Sequence, residues 1–368
     1  MAAAHSPGPG TSGRGGQKPL ARRYLALDAM RGFVMLVLVS HALGIGRIKD
    51  PRYEWLTLKF EHLRWDGFVP WELIMPSFLF MIGAALPFAM ARRREQGSTR
   101  AELLRHAGVR TLKLILLGQF LTCCHQGKWA YEPYETLTQL ALSYLTCFLI
   151  LQLPLRWQPV PAAGLMALNW GLYLLFPGSQ GPFSGQDNVG AAIDKAVFHL
   201  DHAWDWATIN FLGSGVTVLF GAWSGMLVRS ERPAASKLKL MCGAVSACLA
   251  LGLLLLPVNP VIHKAWTASF TFVHTACVLS GLALCFWLFD VCGLRRPAFP
   301  LVVVGTNSIF IYMLWQLLNG WISKTLAIFT GGFSWFGAAA PALQQCAVAA
   351  VLWAVCYWLY RRSIFIRV

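Results

Sequence analysis

Charged residues are scarce in this sequence. Only 13% of its 368 residues are Asp, Glu, Lys or Arg, whereas 56% are hydrophobic, and the mean hydropathy is +0.53. A single soluble core could not bury that much apolar surface, so the composition excludes a soluble protein and indicates an integral membrane protein. No polar stretch is long enough to form a separate soluble domain, so any chemistry must use helix ends, loops and polar groups within the bundle.

Other absences narrow the class of protein further. The ten cysteines show no metal-like spacing and most lie in apolar segments, so neither a metal site nor a disulfide is predicted. The basic residues that give the net charge of +15 form no continuous stripe, which argues against nucleic-acid binding.

Residues 1–20 are rich in Gly, Pro and Ser and lack the apolar core of a signal peptide. We expect them to form a disordered cytoplasmic tail before a transmembrane domain over residues 21–368.

Apolar runs about as long as one membrane crossing recur along nearly the whole chain. A bilayer core of about 30 Å needs roughly 20 apolar residues per helix. The runs therefore predict an all-α, polytopic bundle of about ten transmembrane helices. The predicted spans are 25–46, 68–91, 107–124, 136–154, 160–176, 207–228, 238–256, 267–289, 299–319 and 342–360.

The distribution of basic residues predicts the orientation of the bundle. Short loops rich in Lys and Arg stay on the cytoplasmic side, and most of the 31 basic residues fall there if the N-terminus is cytoplasmic. Both termini are therefore predicted to be cytoplasmic, in a multi-pass protein of the cell (cytoplasmic or inner) membrane. Two outer loops, 47–67 and 177–206, are longer than a turn. The second contains His199 and His202 and could either cover a site or only connect two helices.

A polar loop gives way abruptly to an apolar run near Pro76. His62 lies there between Glu61 and Asp66, and Glu72 follows ten residues after it. A neutral imidazole can take a proton from an amine or hydroxyl nucleophile, and a carboxylate can orient it. His62 is therefore a candidate catalytic base and Glu72 its partner. The alternatives are a solvated loop histidine and a carboxylate that the helix dipole stabilises.

The first predicted helix carries three further candidates. Asp28 and Arg31 are spaced to pair on one helix face, where they could fix the helix end or contact an anionic ligand. His41 follows about three turns later beside small residues. A histidine within an apolar span usually faces a cavity or the bundle interior, where it serves either function or packing.

Polar residues also interrupt the ninth span and the outer loop before the eighth. Asn307 and Ser308 could hydrogen-bond a ligand, although contact between helices is the default. Asn259 and Trp266 are candidates of the same kind, as are Trp65 and Asp66 beside His62.

Several motifs together resemble one family of enzymes. The segment His62-x2-Trp65-x-Gly67-x4-Glu72-x3-Pro76 is similar to the signature of the heparan-α-glucosaminide N-acetyltransferase family of membrane acyltransferases and their bacterial relatives. LALDAMRG, TLTQLALSYL, NVGAAIDKAVF, PVNPVIHKAWTASF, GTNSIFIYML and YRRSIFIRV follow in the same order. The resemblance covers nearly everything after residue 20.

The resemblance implies transfer of acetyl from cytosolic acetyl-CoA to the amine of a terminal glucosamine across the membrane. His62 corresponds to the essential histidine, and Glu72 stands where the family usually has Asp. Ser40 or His41 replaces a family asparagine, and Leu140 replaces an arginine after the matching Gln139. We expect His62 to act as general base or acetyl carrier. The resemblance also leads us to assign roles to three groups: catalysis to His62, Glu72 and His41, acetyl-CoA binding to Arg31, Asp28, Asn307 and Ser308, and acceptor binding to Trp65, Asp66, Asn259 and Trp266.

Two other functions suit the same sequence. A saccharide or polar-lipid transporter could also use polar residues within ten spans, although we see no internal repeat. A membrane subunit without turnover would not need His62. The expected partners of the acetyltransferase are acetyl-CoA as co-substrate, a saccharide acceptor, the lipid bilayer and, in a homodimer, a second copy of the chain. No metal and no nucleic acid are expected.

Overall fold

The computed structural model describes residues 24–48, 50–202 and 204–366. It is 76% helical, and no residue in those ranges belongs to a β-strand, which confirms the predicted all-α bundle. The predicted tail at 1–20 lies outside the described residues. The helices are α1 Leu25–Val39, α2 Glu54–Thr57, α3 Ile74–Glu95, α4 Arg100–Gln126, α5 Thr136–Ile150, α6 Pro159–Leu175, α7 Val189–Phe198, α8 Phe211–Arg229, α9 Ala234–Leu255, α10 Ala268–Cys285, α11 Arg295–Gly305, α12 Ser308–Thr330 and α13 Ala340–Arg361.

Within the described ranges, six helical stretches are long and apolar enough to cross a membrane. They are Pro70–Glu95, Arg100–Gln126, Thr208–Arg229, Ala234–Leu255, Ala268–Val291 and Ser308–Arg361, the last of which contains both α12 and α13. Three other predicted spans fall on α1, α5 and α6, which have 15, 15 and 17 residues. These are shorter than a straight crossing requires. The structure therefore supports a helical membrane bundle, and ten spans with cytoplasmic termini stay a prediction.

The first helix ends seven residues before the predicted boundary at residue 46. The Ser40 hydroxyl turns back to the carbonyl of Leu36 at 2.5 Å and accepts from the Leu43 amide at 2.9 Å. His41, Ala42 and Leu43 then adopt left-handed backbone conformations, with φ between 50° and 56°. Such conformations are costly for residues with a side chain and are concentrated at functional sites.

The predicted ninth span, 299–319, is also interrupted. α11 ends at Gly305 and α12 begins at Ser308. The side chain of Asn307 leaves the helical path, donating to the carbonyl of Ile364 at 3.1 Å and accepting from the amide of Ile366 at 2.9 Å. The two hydrogen bonds of Asn307 at this break thus hold the C-terminal segment against the bundle.

Glycines allow α3 and α8 to approach very closely. A Cβ atom on Gly83 would lie 1.8 Å from the carbonyl oxygen of Val218, and one on Gly221 would lie 1.9 Å from that of Phe80. Small residues at helix interfaces permit this kind of backbone contact within membranes. α3 is therefore fixed in the centre of the bundle, with Glu72 just before its N-terminus and Arg92 near its C-terminus.

Candidate active site

The imidazole of His62 is held by an indole. The Nε1–H of Trp71 donates to His62 Nε2 over 3.1 Å. The other side of Trp71 packs against His41, with ring centroids 4.6 Å apart. Trp71 therefore brings together two of the predicted catalytic residues, which are far apart in the sequence.

Glu72 and His263 lie next to this pair. The carboxylate Oε1 of Glu72 is 3.7 Å from His263 Nδ1, which is longer than a hydrogen bond, and both side chains are only 2% exposed. Glu72 Oε2 and both ring nitrogens of His263 have no hydrogen-bond partner among the described residues. His263 stacks with His62 at 6.1 Å and contacts the edge of Trp206 at 4.1 Å. We call His62, Glu72 and His263 the histidine cluster.

Contacts between two loops assemble the histidine cluster. Asp66 pairs with Ile262 in an isolated β-bridge, and the Gly67 amide donates to the carbonyl of Val261 at 2.9 Å. These bonds join the loop that carries His62 to the loop that carries His263. Lys264 extends the contact by donating to the carbonyl of Trp204 at 2.6 Å.

The surrounding protein lowers the pKa of both histidines of the cluster. Although His62 retains an exposed surface, protein atoms around its ring lower its pKa below the usual value, and the Glu72 carboxylate opposes this effect. Burial lowers the pKa of His263 further, and His62 and Lys264 act in the same direction. A neutral imidazole is the form that can accept a proton.

The histidine cluster contains donors that a divalent metal could use. One donor atom from each of its three residues lies within 4.8 Å of the others. Nitrogen and oxygen ligands lie about 2.0–2.2 Å from zinc, and the carboxylate and His263 Nδ1 are 3.7 Å apart. The Trp71 N–H also occupies His62 Nε2. The expectation of no metal stays a prediction.

A large cavity opens near the C-terminal end of α3. Its volume is about 860 Å³, and its basic lining residues are Arg31, Arg92, Arg93, His106, Arg110 and Lys113. Phe78, Ile82 and Ala89 also line it, and their spacing places them on one face of α3. We call this space the basic cavity. It is charged near the helix end and apolar towards the middle of the bundle.

Three of the four residues predicted to bind acetyl-CoA line the basic cavity. They are Asp28, Arg31 and Ser308. Arg31 pairs with Asp28 at 3.4 Å and donates to the carbonyl of Gly305 at 3.3 Å. Asn307 instead bonds the C-terminal segment, from which Phe365 and Ile366 line the cavity.

Most of the residues predicted to bind the acceptor make packing contacts in this structure. Trp65 donates to the carbonyl of Phe183 at 2.8 Å, and the wholly buried Trp266 donates to Thr217 Oγ1 at 3.1 Å. Asn259 Oδ1 accepts from the amide of Ser269 at the start of α10. Asp66 is exposed and belongs to the β-bridge. Their roles in binding stay predictions.

Comparison with known proteins finds one distant relationship to report. No protein-family model matches the chain. The chain is similar to the human heparan-alpha-glucosaminide N-acetyltransferase, with 22% identity over 418 aligned residues. The similarity supports a family-level relationship. The alignment covers 94% of this chain but 60% of that protein, so the chain spans less than two thirds of the relative. Together with the apolar helices, the similarity supports a membrane protein.

Two residues of the site were missed from the sequence. Trp71 stands directly before Glu72, and an indole next to a candidate carboxylate could have indicated a hydrogen bond to His62. His263 lies between Asn259 and Trp266, both of which were selected, in a segment that carries the family resemblance. The sequence marks His263 only as a histidine in a loop, which is a weak indication of function. The pairing of Asp66 with Ile262, which brings this loop to His62, cannot be seen in the sequence.

Proposed function

We propose that this chain is a membrane acetyltransferase that moves acetyl from cytosolic acetyl-CoA to the amine of an amino sugar on the extracytoplasmic side. One observation carries the proposal: α3 runs from the histidine cluster at one end to the basic cavity at the other. The first can supply a base and the second can bind a polyanion. The similarity to the human N-acetyltransferase supports the reaction class.

The basic cavity suits the donor substrate. Acetyl-CoA is polyanionic and does not cross a bilayer, so its phosphates require cations on the cytosolic side. Guanidinium groups bind phosphate oxygens in bidentate pairs, and Arg31, Arg92, Arg93 and Arg110 all line this cavity. The apolar stretch towards Phe78 suits the uncharged pantetheine arm. Phe78 lies six residues after Glu72, or roughly 9 Å along a helix axis, so the thioester can approach the histidine cluster.

The proposed step is direct aminolysis of the thioester. The acceptor nitrogen attacks the carbonyl carbon, a C–N bond forms, and the C–S bond breaks with its electron pair leaving on the CoA sulfur. His62 takes the proton that the nitrogen loses. In the acetyl-carrier alternative, a nitrogen of His62 attacks the thioester first and the acetyl group then passes to the acceptor.

Neighbouring groups have supporting roles in this proposal. Glu72 stabilises the imidazolium that forms on His62, and the neutral ring of His263 stacks beside it. Trp71 holds the His62 ring until a substrate replaces its hydrogen bond at Nε2. His41 is the candidate donor to the thioester carbonyl, because the Asn307 amide is already bonded to the C-terminal segment.

Turnover by purified protein tests the proposal. Detergent-solubilised chain is mixed with acetyl-CoA and glucosamine, and released thiol and N-acetylated sugar are measured for the parent and for His62→Ala. Loss of a general base costs about 100- to 10,000-fold in rate, so His62→Ala should release almost no thiol. His199→Asn is the matched control, because His199 is exposed in another outer loop and asparagine tolerates its left-handed backbone.

Each outcome has a clear meaning. Retained turnover in folded His62→Ala would remove His62 from the mechanism. Absence of acetyl-CoA binding by the folded parent would contradict acetyl transfer and favour a saccharide or polar-lipid transporter. The proposal also includes one transmembrane domain over residues 21–368 in the cell membrane, with both termini cytoplasmic and a homodimer as the assembly.

A further inference from the structure

A second cavity lies near the outer ends of the helices. It has a volume of about 290 Å³, at the small end of the range for small-molecule sites, which suits one sugar unit. The end of α4, the segment before α5, the loop before α8, and α12 all contribute to its lining. We call it the acidic cavity, because three carboxylates line it.

Carboxylates dominate the charge of this cavity. Glu132, Glu135 and Asp205 line it, and among the described residues no Lys or Arg does. The whole chain has only 16 acidic residues against 31 Lys and Arg residues, so three acids around one small space, with His125 as the basic residue of its lining, are a marked local excess. Throughout the described part of the chain, none of the three forms an ion pair with Lys or Arg. Burial raises the pKa of Glu135 to about 7.

A buried hydroxyl provides independent evidence for a polar ligand. Thr122 lines the acidic cavity, is only 3% exposed, and its Oγ1 has no hydrogen-bond partner among the described residues. Threonines within helices commonly bond a carbonyl in the preceding turn, and Thr111 of the same helix does so with Ala107. Leaving a buried hydroxyl without a partner is costly, so a bound polar group would relieve that cost.

Aromatic residues connect the acidic cavity to the histidine cluster. Tyr134 and Trp206 both line the cavity, and the other side of Trp206 contacts the His263 ring at 4.1 Å. Met75 also lines the cavity, three residues after Glu72. A ligand in this space would therefore lie one side chain away from the histidine cluster.

We infer that the acidic cavity is the acceptor subsite and that it captures an amino sugar in its protonated form. An ammonium group has no lone pair, so it must first give one proton to a carboxylate of the cavity. The neutral amine then attacks the thioester and loses its second proton to His62. The carboxylates pair with the ammonium group, while the Thr122 hydroxyl bonds a sugar hydroxyl. Tyr134 and Trp206 cover the apolar faces of the ring. This inference rests on the proposed function, because it assigns the second substrate of that reaction to a place.

Direct binding of sugars to the full chain tests the inference without any need for turnover. Glucosamine and glucose are titrated separately into detergent-purified protein by calorimetry, with no acetyl-CoA present. Glucosamine should bind at least tenfold more tightly than glucose, because only glucosamine has a charge for the carboxylates. Equal affinity for the two sugars would overturn the assignment of a cationic acceptor.

Variants locate the binding to this cavity. Asp205→Asn and Glu135→Gln should each weaken glucosamine binding by about ten- to a hundredfold, the effect of one charge-assisted hydrogen bond. Glu135 caps α5 by accepting from the amides of Leu137 and Thr138, and glutamine keeps an oxygen for that cap. Glu54→Gln is the matched control, since Glu54 is exposed on α2. This variant should bind glucosamine like the parent.

Thr122→Val separates ligand binding from folding. Valine has nearly the same shape but removes the unpartnered hydroxyl, so the melting temperature should stay equal or rise. Glucosamine affinity should fall at least threefold. Unchanged affinity in this variant and in both carboxylate variants would overturn the acceptor subsite.

A parallel transfer assay separates the two proposals. If the parent acetylates glucosamine while the variants keep the Michaelis constant of the parent for glucosamine, the subsite is wrong and the proposed function stands. If the parent binds glucosamine through Glu135 and Asp205 but never acetylates it, the proposed function is wrong and the cavity is a sugar site of another activity.

Discussion

The carboxylate of Glu72 is buried beside two neutral histidines. Its Oε2 lacks a hydrogen-bond partner among the described residues, and a buried charge without full pairing destabilises the folded state. Glu72→Gln should therefore leave the melting temperature equal or higher. The turnover number should fall by roughly 10- to 100-fold, because glutamine cannot stabilise the imidazolium on His62. Thermal unfolding and steady-state kinetics on the same sample check both effects, and a purely structural Glu72 would give the opposite pattern.

The lowered pKa of His62 gives a second prediction at the residue scale. A general base must be neutral, and a lowered pKa keeps the imidazole neutral to lower pH. The ratio kcat/KM for acetyl-CoA, which reports groups of the enzyme before acetyl-CoA binds, should therefore rise through an apparent pKa below 6.5 and stay constant above about pH 7. An acid limb centred clearly above 6.5 would assign the titration to another group and exclude His62 as the base.

Sequence reasoning found only part of the candidate site at this scale. His62, Glu72 and His41 could be selected because ionisable groups are rare in so apolar a chain. Trp71 and His263 could not, because their importance depends on spatial contacts. The bridge between Asp66 and Ile262 joins loops almost two hundred residues apart, and no local sequence pattern predicts it.

Helix packing provides a prediction at the scale of elements. A methyl group on Gly83 would collide with the carbonyl oxygen of Val218 at 1.8 Å, so Gly83→Ala should force α3 away from α8. Overpacking of this kind costs about 1–3 kcal/mol, and the melting temperature should fall. Turnover should fall too, because α3 positions both Glu72 and Arg92. Gly243→Ala in α9 is the matched control, since nothing lies within 4 Å of its added carbon. Equal stability of the two variants would contradict the close packing of α3 and α8.

Element boundaries were harder to predict than element type. Hydropathy correctly predicted a helical bundle, because apolar composition decides that a segment is buried in a bundle or in lipid. It missed α7, which lies within the predicted loop 177–206, and it merged α11 and α12 into one span. It could not locate the end of α1, where Ser40 bonds back to its own helix. Nor could it locate the break before α12, which depends on Asn307 and a segment more than fifty residues further on. Both boundaries are set by polar side chains within apolar runs.

Positive and negative side chains are concentrated around two different cavities of the molecule, near opposite ends of α3. Arginines surround the basic cavity, while carboxylates surround the acidic cavity near the opposite ends of the helices. A polyanionic donor and a cationic acceptor would thus be attracted to opposite ends of one bundle. If the predicted orientation holds, the donor enters from the cytosol and the acceptor from outside, and only the acetyl group crosses.

Reconstituted vesicles test this separation. Protein is inserted into sealed liposomes that contain glucosamine, and acetyl-CoA is added only outside. Molecules with the cytoplasmic face outwards should then accumulate N-acetylglucosamine inside, while CoA appears in the external medium. His62→Ala vesicles provide the control for leakage and spontaneous acetylation. If product forms only when both substrates are on the same side, the two cavities do not serve opposite faces of the membrane. The basic cavity would then be a donor site within a one-sided enzyme.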